Sequence, residues 1–406
     1  MPPYLLLAYR NVVRQRRRSL FAVLVVAFGV VALLLATGFI EWNVSFGREA
    51  AIRSQFGHIQ VVRPGYFDDG LADPFSYLLP AKGNQLAAIA GQAHVRILAP
   101  RLSFNGLISL GDETIPFIGE GVDPGSERFF DEAVTITAGR GLADNDALGI
   151  IVGQGLAANL GLSVGDDVVL TTGTASGGMN GTDAKVRGLF ATITKAYDDT
   201  ALRVPLALAQ KLSRTQGVHA WVLLLDETEN TQDVLATLRQ KYAGSLLQFV
   251  PWTDLADFYN KTAALLAKQV DVIKIVIATI IVLSISNTRM MSVFERTGEI
   301  GTALALGTGR GEILRMFLAE GCLLGALGSA GGVACGYLLA RGISLIGIPM
   351  PAAPGMAHGF VAEIAFTGAL ALEAFAIGFT TTVCAGAYPA WRASRLAIVD
   401  ALRRNR

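Results

Sequence analysis

Charged residues are scarce in this chain. Of its 406 residues, 17% are charged and 52% are hydrophobic, and the formal net charge is only +1. An average soluble domain has about 25% charged residues. The shortage of charge therefore excludes an ordinary soluble protein of this length and favours a protein embedded in a membrane.

The sequence also has few residues that bind metals or form disulfides. The histidines have no acidic or cysteine companion at metal-binding spacing, and no cysteine lies between residues 41 and 270. The residues concerned are His58, His94, His219 and His358, and Cys322, Cys335 and Cys384. We predict no metal site and no disulfide framework, and we interpret the cysteines as small apolar packing residues.

Nucleotide-binding and catalytic motifs are lacking as well. The chain contains no G-x-x-x-x-G-K-[ST] phosphate loop. Residues 153–158 resemble a dinucleotide fingerprint, but the next glycine, Gly161, leaves too little room for its helix. Residues 161–165 match G-x-S-x-G, but a helical stretch precedes the serine and a strand follows it, the reverse of a nucleophile elbow. We predict no catalytic residue, no cofactor and no enzymatic activity in this chain.

Four apolar runs are present, each near the roughly 20 residues that span a bilayer. Arginines precede the first run, follow the last and lie between the second and third, so both termini are predicted to be cytoplasmic. Residues 41–270 hold 18 basic and 25 acidic residues, which agrees with a location outside the cytoplasm. The first run lacks an Ala-x-Ala site after it, and we interpret it as an anchor instead of a cleaved signal peptide.

These observations divide the chain into segments. We predict an N-terminal cytoplasmic segment, four transmembrane helices, one large extracytoplasmic domain, a cytoplasmic loop, a short outer loop and a cytoplasmic tail. Their bounds are 1–19 (N-terminal segment), 20–40 (first span), 41–270 (extracytoplasmic domain), 271–288 (second span), 289–312 (cytoplasmic loop), 313–344 (third span), 345–365 (outer loop), 366–387 (fourth span) and 388–406 (tail).

The extracytoplasmic domain is predicted to have an α+β fold. Alternating apolar patterns give a strand, a helix and a strand over 58–98, and the same order over 219–250. These two βαβ units flank a small β-rich insertion, about 115–215, in which the Gly/Ser/Thr-rich tract 171–183 is predicted to be a mobile loop. The apolar positions from Leu255 onward follow helical spacing into the second span, which predicts one long stalk helix.

The segment after the second span carries the most specific motif. It contains Glu295-Arg296-Thr297, then Glu299-Ile300-Gly301, then Ala305-Leu306-Gly307, and the chain closes with Tyr388-Pro389-Ala390-Trp391-Arg392. With the order of one span, a large domain and three further spans, these motifs resemble the FtsX/MacB-like family of ABC transporter permeases (type VII, mechanotransmission). The resemblance covers essentially the whole chain and is nearest to the LolC/LolE lipoprotein-releasing branch.

The resemblance implies that the helix after the second span docks on a separate ABC ATPase subunit, which binds the ATP and magnesium. The residues expected to form this ATPase-coupling segment are Glu295, Arg296, Glu299, Ile300, Ala303, Leu304 and Gly307. In the closing motif, Pro389, Arg392 and Arg395 are expected to form the contacts of the tail. The alternative is an ordinary amphipathic connector.

The family further implies a permease homodimer or heterodimer in the bacterial inner membrane. The expected function is release or export of hydrophobic or lipid-anchored cargo such as lipoproteins, with membrane lipid and a periplasmic chaperone, adaptor or lipoprotein as partners and no nucleic acid. A signal relay that regulates an envelope enzyme or sensor remains the alternative.

Glu320 stands apart from these motifs. It lies near the start of the third predicted span, and an ionisable residue within a span is a candidate for function. The alternative is a glutamate that reaches the cytoplasmic interface.

Overall fold

The computed structural model describes residues 3–70, 72–127, 130, 134–192, 194–352 and 359–395. The chain forms two compact units. We call Met1–Val44, Ala263–Ile348 and Val361–Arg406 the membrane unit, and Ser45–Thr262 and Pro349–Phe360 the sheet unit. Parts of the predicted outer loop (353–358) and tail (396–406) lie outside the described residues, and so does His358.

The helices are numbered in chain order. They are α1 (Pro3–Arg14), α2 (Arg16–Ala51), α3 (Asn84–Ala90), α4 (Pro124–Glu127), α5 (Gln154–Leu160), α6 (Lys195–Asp198), α7 (Leu206–Ser213), α8 (Thr231–Lys241), α9 (Trp252–Leu255), α10 (Asp257–Glu295), α11 (Thr297–Ala305), α12 (Arg310–Ile346) and α13 (Gly368–Ser394).

Among the described residues, four helices are long and apolar enough to span a bilayer: α2, α10, α12 and α13. At about 1.5 Å per residue, the 36 residues of α2 and the 39 of α10 extend roughly 54 and 58 Å, well beyond a hydrocarbon core of about 30 Å. The composition did not indicate α1, which occupies most of the predicted N-terminal segment.

Glycines allow α12 to pack closely on α2. Gly328, Gly332 and Gly336 recur every four residues and face Val26, Val30 and Leu34. Small residues at this spacing let two helix backbones approach each other closely. Inside a membrane the hydrophobic effect does not drive helices together, so this close packing contributes to their association. The glycines therefore place α2 against α12.

The strands form mainly one large sheet. Their bounds are β1 (Ile59–Val62), β2 (Leu79–Pro80), β3 (Val95–Leu110), β4 (Glu113–Val122), β5 (Thr135–Gly139), β6 (Gly149–Gly153), β7 (Asp167–Gly173), β8 (Met179–Ala191), β9 (Ala201–Pro205), β10 (Gly217–Val218), β11 (Ala220–Leu225), β12 (Gln248–Pro251), β13 (Ile348–Met350) and β14 (Phe360–Ala362). The described order in the large sheet is β12-β1-β11-β3-β4-β9-β6-β8-β5, and β7 pairs with both β3 and β8.

The two strand-helix-strand stretches interleave in this sheet. The first consists of β1, α3 and β3, and the second of β11, α8 and β12. Because β11 lies between β1 and β3, and β1 lies between β12 and β11, each stretch encloses a strand of the other. This is a split βαβ arrangement, whose shared apolar core includes the fully buried Trp221.

One local prediction for this region differs from the structure. The tract 171–183 is not a loop, since β7 and β8 pair from Asp167 with Lys185 to Gly173 with Met179 and only residues 174–178 connect them. Its threonines are β-branched and favour strands, a preference that the glycine count concealed. The strands of the insertion continue the large sheet, because β4 pairs with both β3 and β9.

Two buried histidines in the sheet unit predict a dependence of stability on pH. Burial lowers the pKa of His58 and of His219 to about 4, below the value of about 6.5 in an unfolded chain. The unfolded state therefore binds more protons between pH 6.5 and 4. The stability present above pH 6.5 is lost as the pH falls through this window, by up to about 3 kcal/mol for each histidine.

Hydrogen exchange of the sheet amides in the full chain, corrected for intrinsic rates, measures this loss. The variant His219→Gln is expected to flatten the profile between pH 6.5 and 4. A wild-type protein equally stable at pH 7 and pH 4.5 would contradict the prediction.

Candidate functional site

The predicted coupling segment folds as a short helix between two sharp changes of direction. α10 ends at Glu295, Arg296 has non-helical backbone angles, and α11 follows. After α11 the chain turns at Gly307, whose φ of +97° favours glycine because other residues would be strained there. The positions of Arg296 and Gly307 thus separate α11 from α10 and α12.

The inner face of α11 is apolar and buried. Ile300 packs in a cluster with Val293, Phe317, Ala390 and Ala393. Ile300 is therefore mostly enclosed in the interior of the membrane unit, with 4% of its surface exposed. Ala303 and Leu304 are half-buried.

The exposed face of α11 consists of different residues. Glu299, Thr302 and Leu306 are exposed and follow the i, i+3, i+7 spacing of one helix face, and Leu306 is 84% exposed. Sequence reasoning missed Thr302 and Leu306. In the sequence, the position of Leu306 directly before Gly307, at the end of the helix, was the signal that could have indicated this face.

Glu320 is buried and bonded to three other elements of the membrane unit. Its Oε2 accepts a hydrogen bond from Arg289 Nη1 at 2.8 Å, and its Oε1 accepts from Arg296 Nη1 at 3.1 Å and from Asn11 Nδ2 at 2.8 Å. Glu320, Arg289 and Arg296 are all less than 8% exposed. We call these four residues the Glu320 cluster.

The Glu320 cluster connects both sides of the bend between α10 and α11. Arg289 lies in α10, Arg296 lies at the bend, Asn11 belongs to α1 and Glu320 belongs to α12. Bonds between charged groups are short and directional, so one carboxylate can hold these elements in a single arrangement. Sequence reasoning counted Arg289 only among the basic residues that indicate orientation.

A second, more exposed set of ion pairs surrounds α11. Glu299 contacts Arg14 at 2.6 Å and Arg296 at 3.4 Å, and Glu295 forms a bidentate pair with Arg18. Burial acts to raise the pKa of Glu299, but the hydrogen bond and charge of Arg14, together with Arg296, outweigh it and hold the pKa below its ordinary value. The N-terminal arginines therefore neutralise both acidic residues of the predicted segment.

Of the residues predicted for the tail contacts, Pro389 and Arg392 lie on the last turns of α13, and Arg395 directly follows this helix. Pro389 is buried inside this helix. The guanidinium of Arg392 lies 5.5 Å from the ring centre of Phe294 in α10, whereas that of Arg395 lies over Trp391 of its own segment at 4.7 Å. Arg392 thus reaches the coupling region, and Arg395 packs locally.

A groove of about 530 Å³ lies beside α11, lined by residues of α1, α11 and α12. Ile300, Ala303, Ile313 and Met316 supply apolar surface in it, and Glu312 lies among its polar lining. In the part of the chain that the structure describes, no group of three or more His, Cys, Asp or Glu side chains could hold a metal. The groove thus combines an apolar surface with charged side chains.

The long apolar helices and the large sheet define a polytopic membrane protein with a substantial domain outside the bilayer. The model of the FtsX-like permease C-terminal family matches residues 272–398, and that of the MacB-like periplasmic core domain family matches residues 19–241, more than half of the chain. The chain belongs to the FtsX/MacB/LolC-type family of ABC transporter permeases.

Relatives in this family are distant. An uncharacterised ABC transporter permease of Methanocaldococcus jannaschii is 28% identical over 294 residues, covering 68% of this chain and 67% of that protein. The lipoprotein-releasing system transmembrane protein LolC of Xylella fastidiosa is 27% identical, covering 63% of this chain and 64% of its own length. LolC of Neisseria meningitidis serogroup B is 24% identical over 396 residues, 93% of this chain and 92% of that protein.

Proposed function

We propose that this chain is the permease subunit of an ABC transporter that transmits ATP-driven movement from a separate ATPase subunit to the sheet unit. The ATPase binds ATP and magnesium and docks on the exposed face of α11. The transporter releases or exports hydrophobic or lipid-anchored cargo such as lipoproteins. It acts as a dimer in the inner membrane, with both termini and α11 in the cytoplasm and the sheet unit in the periplasm.

The Glu320 cluster is the observation that carries this proposal. It makes α11 a rigid attachment on α10 and α12 instead of a loose connector, so a force applied to α11 passes into helices that extend beyond the bilayer. The face formed by Glu299, Thr302 and Leu306 combines an acidic, a polar and an apolar side chain, which suits docking in a groove of a partner.

Two features favour hydrophobic cargo. Lys274 pairs with Glu373, and Arg289 pairs with Glu320, so these charges within apolar helices bond to each other instead of lining a polar channel. LolC relatives are named for lipoprotein release, and MacB relatives for macrolide export. Lipoproteins are lipid-anchored, and macrolides are amphipathic.

The docking face is tested by the variant Leu306→Asp. We expect loss of co-purification with the partner ATPase subunit and loss of stimulated ATP turnover, because a charge replaces the exposed leucine that caps the end of α11. The control is Leu246→Asp, which changes a leucine of similar exposure in the sheet unit. Wild-type binding and turnover in Leu306→Asp would refute docking at this face.

The cargo is tested on the complex purified from native membranes. Mass spectrometry of co-purifying molecules should identify lipoproteins or lipids bound to the wild-type complex. Recovery of an envelope hydrolase or sensor kinase in their place would overturn the transport proposal in favour of a signal relay.

A further inference from the structure

A buried ion cluster in the sheet unit surrounds the end of the first long helix. After α2 the chain forms a π-helical turn, Ile52–Phe56. The last carbonyls of a helix have no partner within it. Here Arg203 Nη2 donates to the carbonyl oxygen of Ser54 at 2.7 Å, and Arg101 Nη1 donates to that of Gln55 at 2.8 Å.

The same two arginines share one carboxylate. Arg101 Nε donates to Glu127 Oε1 at 3.0 Å, and Arg203 Nη1 donates to Glu127 Oε2 at 3.4 Å. Arg203 also contacts Glu120 at 3.4 Å. We call Arg101, Arg203, Glu127 and Glu120 the arginine clamp; its two positive and two negative charges balance in a nearly dry interior.

The arginine clamp joins the end of α2 to the middle of the large sheet. Arg101 lies in β3 and Arg203 in β9, the strands on either side of β4. Glu120 lies in β4 directly opposite Arg203. Because β3 belongs to the split βαβ part and β9 to the insertion, the carbonyls of Ser54 and Gln55 are bonded to both parts of the sheet.

Stability alone does not explain such a cluster. Buried ion pairs can often be replaced by apolar side chains of similar volume without loss of stability, because burying the charges offsets their attraction. Their best-attested role is to hold one register between elements. A π-helical turn is also frequent at functional positions. Directional bonds to two successive carbonyls resist both sliding and rotation of the helix end, which apolar contacts would permit.

We propose that Arg101 and Arg203 are positioning residues that transmit displacement of α2 into β3 and β9. This inference rests on the proposed function, since the ATPase supplies the displacement. Other contacts of the α2 end remain when the arginines are replaced, such as the hydrogen bond from Thr228 to Glu49 at 2.7 Å and the apolar packing of Ile52.

The test uses the full chain with its ATPase in lipid nanodiscs. Hydrogen exchange is measured by mass spectrometry without nucleotide and with ATP trapped by vanadate. In the wild-type complex, trapping is expected to change exchange in residues 45–56 and in β3 and β9. In Arg101→Met and in Arg203→Met, the change in 45–56 should remain, and the change in β3 and β9 should be lost.

The matched control is Arg239→Met. Arg239 Nη2 also donates to a backbone carbonyl of the sheet unit, that of Phe249 at 2.9 Å, but it does not contact the α2 end. We expect this variant to retain the wild-type response. Exchange of β11 without nucleotide reports whether each variant is folded. Arg203→Lys is a milder variant that keeps the charge but lacks the fork that reaches Ser54, Glu127 and Glu120 together.

The outcomes distinguish failure of the arginine clamp from failure of the proposed permease function. A folded Arg203→Met or Arg203→Lys that keeps the nucleotide response in β3 and β9 overturns the arginine clamp as a transmitter and leaves the proposed function intact. A wild-type complex that neither stimulates the ATPase nor responds to trapping overturns the proposed function, and the clamp inference with it. Loss of the response in both the arginine variants and Arg239→Met also refutes a specific role of the clamp.

Discussion

Glu320→Ala is expected to abolish ATP turnover stimulated by the permease. The substitution leaves Arg289 and Arg296 buried without their shared carboxylate, and removing one partner of a buried ion pair costs about 3–5 kcal/mol. The bend between α10 and α11 then loses its anchor on α12. Turnover of the complex in nanodiscs, measured with thermal unfolding of the permease, checks both effects.

A triple apolar variant separates positioning from stability. Glu320→Leu combined with Arg289→Met and Arg296→Met removes every charge of the cluster at once. Well-packed apolar side chains often restore stability at such sites. We therefore expect thermal unfolding close to wild type but turnover still near background, because the directional bonds to the bend are gone.

Glu229→Ala is the control, since Glu229 is an exposed acidic residue whose pair with Arg48 lies in the sheet unit. It should leave turnover unchanged, as exposed ion pairs contribute little. If the triple apolar variant folds and stimulates the ATPase like wild type, the Glu320 cluster has no positioning role.

The chain order of the Glu320 cluster explains why sequence reasoning found only part of it. A charge within an apolar run marked Glu320 as unusual. Its partners Arg289 and Asn11 lie 31 and 309 residues away in the sequence. Hydrophobic periodicity reports only on neighbouring residues and cannot reveal such contacts. The inward position of Ile300 also depends on α13, which contributes Ala390 and Ala393 to the same cluster.

The sheet unit shows the same division. Alternating apolar residues indicated β1, β11 and β12 and the helix between the last two, because those patterns are local. That β1 pairs with β11, some 160 residues later, depends on long-range packing. The strand predicted to end at residue 98, because Pro100 and Arg101 interrupt the apolar pattern, continues as β3 to Leu110.

Gly332 and Gly331 are adjacent in α12, yet alanine is expected to have opposite effects at these positions. A Cβ at Gly332 would lie 2.7 Å from Val30 Cβ and 2.8 Å from the backbone oxygen of Ala27, so α2 must move away. Overpacking of this kind costs about 1–3 kcal/mol. At Gly331 a Cβ meets open space, and alanine gains up to about 1 kcal/mol of helix propensity.

Thermal unfolding of the two variants in one detergent measures the contrast. Gly332→Ala should lower the midpoint and Gly331→Ala should hold or raise it, while Gly332→Leu should lower it further than Gly331→Leu. Equal midpoints for the two alanine variants would show that α2 and α12 do not pack through this glycine.

Because α2 continues into the residues held by the arginine clamp, a displaced α2 should also weaken the nucleotide response in β3 and β9, even though Gly332 is in a different unit. Gly332→Ala thus tests whether the glycine contact and the clamp act along the same helix.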